Sequence, residues 1–317
     1  MAVKGIVKGI SNWLITGGAG FIGSHIVHLL VENGQKVIIF DNLSTGNMQN
    51  LQDIATKINF VKGDITDKKD ISKLPKDIDY ILHLAAQISV PQSVEKPEET
   101  FFINTQGTVN ILEFAKSIKA KKVVLSSSAA IYGDKTPPPC KENAAPACQS
   151  PYALSKLQGE ELLKMYNLLY NLPTVCLRYF NVFGPRQNPN SAYAAVIAKF
   201  VDCFVKKQPL TVFGDGLQMR DFIFVKDIAR ANIFAAQNLD KGEVYNIATG
   251  KHYTLLELIE ILSKLFGYKA EIIFKPSRAG DIKESFADTS KISASGFKAD
   301  YDLEQGLKEM LKYMGVL

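Results

Sequence analysis

The sequence predicts an α/β fold: a doubly wound parallel sheet followed by a smaller α/β domain. Three observations carry this. Strands that are apolar throughout alternate with helix-period segments up to residue 181. Such strands are buried on both faces, as a parallel sheet between helical layers requires. A glycine turn, TGGAGFIG (16–23), joins the first strand to the first helix. After residue 182 the alternation loosens into short strands, loops and helices.

NWLITG (12–17) is the first strand, stopped by glycines, and FIGSHIVHLLVENG is the helix after it. KVIIFD (36–41), INFVKGD (58–64), DYILHLAA (79–86), KKVVLSSS (121–128) and TVCLRYFN (174–181) repeat the strand theme. Helices fill the gaps, most clearly over 98–119 and 151–170. NVFGPRQNPN is a loop by its Gly, Pro and Asn content. A helix near 193–207 follows it. Residues 1–182 form one domain, with 222–250 packing back on it, and 183–317 form the second. Before the first strand, Val3, Ile6, Val7 and Ile10 match a helical stripe, while Gly5 and Gly9 oppose a helix.

Composition narrows the class. The 317 residues are 46% hydrophobic and 22% charged, enough for a sizeable core. The net charge of +5 is spread along the chain, which favours anionic ligands mildly and argues against nucleic acid. No apolar run approaches the ~20 residues of a membrane span, and Lys4 and Lys8 interrupt the N-terminus, so no signal peptide is expected. Cys140, Cys148, Cys176 and Cys203 form no C-x-x-C pair and no metal-ligand spacing with the histidines. No metal site is expected, and a reducing, cytoplasmic setting is.

Two motifs carry chemistry. Gly17, Gly20 and Gly23 let backbone approach a phosphate, and the following helix aims its free N–H groups there, from Phe21 and Ile22 onward. Asp41 ends the next strand, where a carboxylate can bond both ribose hydroxyls of NAD and repel the extra phosphate of NADP. This is the Rossmann arrangement, with G-x-x-G-x-x-G spacing in place of G-x-G-x-x-G. The second motif is SPYALSK (150–156). Ser150 and Pro151 read as a capped helix start. Tyr152 and Lys156 then share one helix face. On these residues alone, a plain helix start and a catalytic pair both stand.

T-G-x-x-G-x-x-G, DNLSTG (41–46), GDITD (63–67), HLAA (83–86), LSSSAAIYGD (125–134), SPYALSK and RYFNVFGP (178–185) occur together in this order. Together they resemble the extended short-chain dehydrogenase/reductase family and, within it, the UDP-hexose 4-epimerases. GDGLQMRDFIFVKDIARA (214–231) and RAGDIKESFAD (278–288) extend the resemblance through the second domain.

The resemblance implies NAD as cofactor and a UDP-hexose as substrate. It implies that Asn42, Ser44, Thr45 and Gly46 accompany Asp41 at the cofactor, and that Asp64 and Ile65 flank the adenine. Leu84, Ala85, Ala86, Asn104 and Tyr179 would line the rest. Ser128, Tyr152 and Lys156 match the catalytic trio. Asn181, the backbone at Ala194 and Ala195, Arg220 and Arg278 match groups that hold a diphosphate. Thr211, Val212 and Phe213 match a uracil contact, and Asp281 a ribose contact. Ser285 stands where a tyrosine would restrict the pocket to plain hexoses, so N-acetylated sugars are expected to fit. A homodimer through the helices over 98–119 and 151–170 is implied too, with Ile111, Phe114, Ala115, Leu162 and Leu163 as its apolar surface.

The chain departs from the pattern in two places. Ala129 and Ala130 follow Ser128 where many relatives carry a hydroxyl, and Gln87 and Ile88 differ after HLAA. Dehydratases of this family carry an acidic pair at the place of Ala129–Ala130, so elimination of water is not expected. A decarboxylase and a non-catalytic NAD-sensing protein on the same fold are the competing functions.

The implied chemistry explains the motif. Oxidation at carbon 4 removes the stereocentre, and reduction on the other face inverts it. Tyrosine is a poor base at a pKa of about 10. An ammonium ~5 Å away, at an effective dielectric near 20, favours the phenolate by roughly 3 kcal/mol, or about two pK units. The oxidised nicotinamide adds a second positive charge, and the two together are expected to bring Tyr152 near neutrality, where a general base works best.

Overall fold

The computed structural model describes residues 9–188, 196–277 and 282–317. Ala194, Ala195, Arg278 and Asp281 lie outside the described residues, as does the stripe expected at Val3, Ile6 and Val7. Ile10 is described and exposed, outside any helix.

The strands in chain order are β1 (Asn12–Thr16), β2 (Lys36–Asp41), β3 (Ile58–Lys62), β4 (Tyr80–His83), β5 (Lys122–Ser128), β6 (Thr174–Tyr179), β7 (Asn181–Phe183), β8 (Leu210–Phe213), β9 (Met219–Arg220), β10 (Phe222–Phe224), β11 (Glu243–Ile247), β12 (Tyr253–Thr254), β13 (Ile272–Lys275) and β14 (Glu284–Ser285). The helices used below are α1 (Phe21–Glu32), α2 (Val90–Glu95), α3 (Pro97–Phe101), α4 (Gly107–Ser117), α5 (Pro151–Tyr170), α6 (Val225–Asn238) and α7 (Leu303–Tyr313). No described helix is long and apolar enough to cross a membrane.

Two compact units are present. The first comprises the chain through Ile131, Cys148–Tyr179 and Ile228–Tyr245. The second comprises Tyr132–Ala147, Phe180–Asp227 and Asn246–Leu317.

The first unit is built on a seven-stranded sheet of order β11-β6-β5-β4-β1-β2-β3. Pairs β1·β2, β2·β3, β1·β4, β4·β5 and β5·β6 are parallel. The order reverses between β1 and β4, and ligands of doubly wound sheets bind at such a switch point, beyond the carboxyl ends of the strands. Leu14, Ile38, Phe40, Ile81, Val123 and Leu125 alternate with residues buried on the opposite face, so the strands read as continuous apolar runs.

The expected helix over 98–119 is α3 and α4 joined by a π-helical turn, Phe102–Gln106. The wide turn carries Asn104 inward, against Gln87 and Ser155. The helix over 151–170 is α5, capped by the Ser150 hydroxyl, which accepts the Ala153 N–H at 3.1 Å.

Of the apolar surface assigned to Ile111, Phe114, Ala115, Leu162 and Leu163, three residues are core and two are partly buried. Ile111, Ala115 and Leu163 are fully buried, and Phe114 and Leu162 pack on the same cluster. These positions face the sheet. The apolar side chains left exposed on this layer include Leu154, Met165, Leu168, Leu169 and Tyr170 on α5, Val90 and Val94 on α2, and Phe102.

The second unit holds small sheets: β7 parallel to β10, β8 parallel to β13, and β9 between β12 and β14. Its core includes Phe183, Phe224 and Tyr301, with ring centroids 5.5 and 4.7 Å apart in succession. A Cβ on Gly306 of α7 would lie 2.6 Å from the Phe183 ring, so only glycine lets α7 approach this closely.

Candidate active site

In the first unit the site begins at the β1–α1 turn. Gly17 has φ +71°, and a Cβ there would lie 2.8 Å from the Ala85 nitrogen. A Cβ on Gly23 would lie 2.2 Å from the Gly17 oxygen. Both glycines are therefore obligatory for the turn. Gly20 caps α1 without a side-chain bond, so the N–H groups of Phe21, Ile22 and Gly23 open the helix with no intrahelical acceptor. This is an anion-binding geometry.

Asp41 ends β2 beside this turn and is buried. Its Oδ2 accepts the Ala19 N–H at 3.0 Å and its Oδ1 the Leu43 N–H at 2.8 Å. Each oxygen keeps further lone-pair capacity. Gly46 closes over it: a Cβ there would lie 3.0 Å from both carboxylate oxygens. The Asn42 Oδ1 accepts the Ser44 N–H, which shapes the loop that runs on through Thr45.

Asn42 also donates to Asp64 at 2.8 Å. Burial would raise the Asp64 carboxyl, but bonds from Thr66 and Asn42 outweigh it and hold it below the usual range. Ile65 next to it is core: its side chain packs against Gly107, and its carbonyl accepts the Asn110 amide.

On the other side of the switch point, Leu84 and Ala85 each donate an N–H to the Thr16 hydroxyl at 3.1 Å. With its lone pairs taken, Thr16 donates its own proton to His83 Nδ1, 2.7 Å away. Burial, and then the Lys156 charge, push His83 down to about 3, so the ring is neutral. The proton sits on Nε2 and is donated to Thr108 Oγ1 at 3.1 Å; Thr108 in turn donates to the Asn104 carbonyl at 2.5 Å. This chain of bonds ties β1, the Leu84–Ala86 loop and the π-turn together. Asn104 spends its side chain on the same task, accepting the Gln87 N–H at 2.7 Å and donating to the Gln87 carbonyl and Ser155. Ile88, by contrast, is exposed.

Ser128 ends β5, and its hydroxyl accepts the Ala130 N–H at 3.2 Å and hydrogen-bonds the Tyr152 hydroxyl. Lys156, one turn along α5, is buried; its Nζ donates to the Ser126 carbonyl at 2.9 Å and lies 5.8 Å from the Tyr152 ring centroid. Burial lowers Lys156 from the ordinary 10.5 to about 8. Burial raises Tyr152 above 10.0, and the Ser128 bond only partly offsets this.

Tyr179 faces the interior. Its hydroxyl bonds Ser126 Oγ at 3.0 Å and Asn232 Oδ1 at 2.8 Å, and burial pushes it up to about 12. Glu160 and Arg178, given no role in the sequence analysis, form a buried ion pair here. Arg178 donates from Nε and Nη2 to the two Glu160 oxygens at 2.9 and 2.7 Å, and Ser127 donates to the same carboxylate at 2.5 Å. The clamp fixes α5 against β5 and β6, beside Ser128 and one turn from Lys156. The available signal is Glu160 at i+4 from Lys156, which places both charges on the buried face of α5.

In the second unit, Asn181 starts β7 and donates from both its backbone and its side-chain nitrogen to the Asp221 carbonyl at 3.1 Å. Arg220 ends β9, its Nη1 2.9 Å from the Met219 carbonyl. Ser285 pairs with Arg220 across β14·β9. Thr211, Val212 and Phe213 lie on β8, where Val212 is buried and the other two are partly exposed. Among the described residues no group of acidic, His or Cys side chains could hold a metal.

The family model described as "NAD dependent epimerase/dehydratase family" matches residues 13–248. The UDP-glucose 4-epimerase of Mycolicibacterium smegmatis is 36% identical over 308 residues, 95% of this chain and 97% of that one. The structure of a UDP-N-acetylglucosamine 4-epimerase from Methanobrevibacter ruminantium M1, in complex with UDP-N-acetylmuramic acid, superposes with a TM-score of 0.91 at 42% identity, over 97% of this chain and 99% of that one. The UDP-glucose 4-epimerase of Thermotoga maritima with UDP-glucose does so with a TM-score of 0.91 at 38% identity, over 96% and 98%.

Proposed function

The chain belongs to the NAD-dependent epimerase/dehydratase family, and on that premise we propose that it is a UDP-hexose 4-epimerase, inverting carbon 4 through a transient 4-keto sugar. UDP-glucose/UDP-galactose and UDP-N-acetylglucosamine/UDP-N-acetylgalactosamine are its proposed substrate pairs. The observation that carries the reading is the trio on the first unit. The Tyr152 hydroxyl is hydrogen-bonded to Ser128, with buried Lys156 one helical turn away.

The first unit fits NAD. The glycine turn leaves no Cβ between backbone and a pyrophosphate, and the Asp41 oxygens retain acceptor capacity for ribose hydroxyls. Bound NAD supplies the hydride acceptor and a positively charged nicotinamide. Tyr152 takes the proton of the sugar hydroxyl and returns it to the same oxygen when carbon 4 is reduced on its other face. Ser128, a donor and an acceptor, steadies the same oxygen as hydroxyl and as ketone. Lys156 supplies positive charge beside the phenolate. Leu84, Ala85 and Ala86 contribute backbone at the cofactor, and Asn104 holds that backbone in place.

Asn181, Arg220, Arg278 and the backbone at Ala194 and Ala195 are proposed to hold the diphosphate, Thr211–Phe213 the uracil, and Asp281 the uridine ribose. Ser285 leaves room beside carbon 2 of the sugar. Ala129–Ala130 offers no acid for elimination, which favours epimerisation over dehydration.

Incubation with each UDP-sugar tests the reading. The expected result is inversion at carbon 4 by NMR with no net absorbance at 340 nm. Net NADH, a deoxy or decarboxylated product, or no turnover overturns it.

A further inference from the structure

We propose that Asp221 is the positioning residue of the UDP-sugar site, holding Asn181, Arg220 and Ser285 in register through one buried carboxylate; this rests on the UDP-hexose reading above. Asp221 has no solvent exposure. It lies between β9 and β10, directly after Arg220. Its main chain makes the cross-links. The Asp221 carbonyl accepts two bonds from Asn181, through N and Nδ2, both at 3.1 Å. The Asp221 N–H donates to the Ser285 carbonyl at 3.0 Å. Asn181 and Ser285, from two separate segments, therefore hang on the main chain of the residue that follows Arg220, and all three are assigned to the substrate.

The carboxylate fixes that peptide. Oδ1 accepts the Thr249 N–H at 2.9 Å and the Thr249 hydroxyl at 2.7 Å, and Oδ2 accepts the Gly250 N–H at 2.8 Å. The Ala287 N–H also hydrogen-bonds this carboxylate. Gly250 has φ +73°, and a Cβ on it would lie 2.9 Å from Thr289 Oγ1, so the 249–250 turn is built to present its N–H groups here. Every partner is a donor. Charge-assisted bonds from several donors make such a carboxylate a rigid anchor. Burial alone pushes the carboxyl up, to about 6, against the pull of these donors. The anchor is thus held against a desolvation cost, and the isosteric amide must present an N–H where only acceptors fit.

Asp221→Asn replaces one acceptor oxygen by an amide donor facing N–H groups. Thr249→Val removes the hydroxyl that donates to Oδ1, with its local bonds to Lys251, and keeps the backbone bonds of Thr249 and Gly250 to the carboxylate. UDP binding by calorimetry, NAD content, and the kcat and KM for UDP-hexose are measured on wild type and both variants. The expected result is a rise of at least tenfold in the UDP Kd and in KM for Asp221→Asn, and of about two- to fivefold for Thr249→Val, since one hydrogen bond to a charged group is lost. NAD content stays at the wild-type level in both. Unchanged UDP affinity in Asp221→Asn overturns the proposal. So does a parallel loss of NAD, which marks a general structural role. If Asp221→Asn does not fold, an unchanged UDP Kd in Thr249→Val overturns it. Failure of wild type to bind UDP overturns the substrate reading itself, and the two failures are distinguishable by that control.

Discussion

At the residue scale, the site is governed by desolvation. Tyr152 holds its proton more tightly than free tyrosine, because burial opposes the phenolate. It still carries the proton transfer in the proposed reaction. Tyr152→Phe is expected to lower kcat by at least ~10²-fold, the usual contribution of a general base, with NAD content unchanged; residual kcat above a tenth of wild type removes Tyr152 from that role. Lys156 carries a measurable cost. Its pKa is depressed by burial to about 8 from 10.5, so the fold disfavours its charge. Below pH 8 that cost is fully present, and it disappears as the pH rises from 8 to 10.5, where the unfolded chain binds the extra proton. Wild type should therefore gain ~3 kcal/mol of stability relative to Lys156→Met across this window. Urea denaturation of both proteins, stripped of cofactor, at pH 7, 8, 9 and 10.5 measures it, and a flat difference contradicts the burial argument. Ser285 bears on specificity. Ser285→Tyr should suppress turnover of the N-acetylated pair selectively by filling the space the acetamido group needs. Equal loss on both substrate pairs, or none, counts against Ser285 as the gate.

At the element scale, α5 does most of the positioning. It brings Tyr152 and Lys156 to the end of β5, and the Glu160–Arg178 pair locks it there. Glu160 and Arg178 are 3% and 4% exposed, so removing one partner leaves an uncompensated buried charge. Arg178→Met is expected to cost about 3–5 kcal/mol in urea unfolding. Adding Glu160→Gln to that variant should recover part of the loss, because it removes the stranded charge. A single variant of wild-type stability would show that the pair contributes nothing. The π-turn over Phe102–Gln106 belongs to this scale too. It places Asn104 where its amide can clamp Gln87, and so holds the loop that begins at Leu84.

At the scale of the whole molecule, the apolar side chains on α5 and α2 ask for a partner. Leu154, Met165 and Leu168 recur along one face of α5, and Leu168 is 77% exposed. Val90 and Val94 on α2, with Phe102 beside them in sequence, add to the exposed apolar surface of this layer. Exposed apolar patches of this kind mark association surfaces, and a second copy of the chain is the proposed occupant. Light scattering at micromolar concentration should give a dimer mass, and Leu154→Asp with Leu168→Asp should give the monomer. A monomeric wild type would refute this.

The sequence by itself determined the elements and the motifs. Apolar runs ending at Gly17, Asp41 and Ser128 set the parallel strands, because a strand buried on both faces must be apolar throughout. The Tyr152–Lys156 spacing set a shared helix face, because side-chain direction along a helix follows its period. Tertiary structure decided what those residues meet. It turned Ile111, Ala115 and Leu163 into core and left Leu168 exposed, since helical period cannot say which apolar face the sheet covers. It gave the Asn104 and Tyr179 side chains to internal bonds. It buried Tyr152, which raises its hydroxyl above the ordinary value. It also joined Glu160 to Arg178, and Asn181, Ser285 and Thr249 to Asp221, across long sequence separations. Burial and hydrogen-bond partnership depend on residues far apart in the chain, and no local pattern of one segment encodes them.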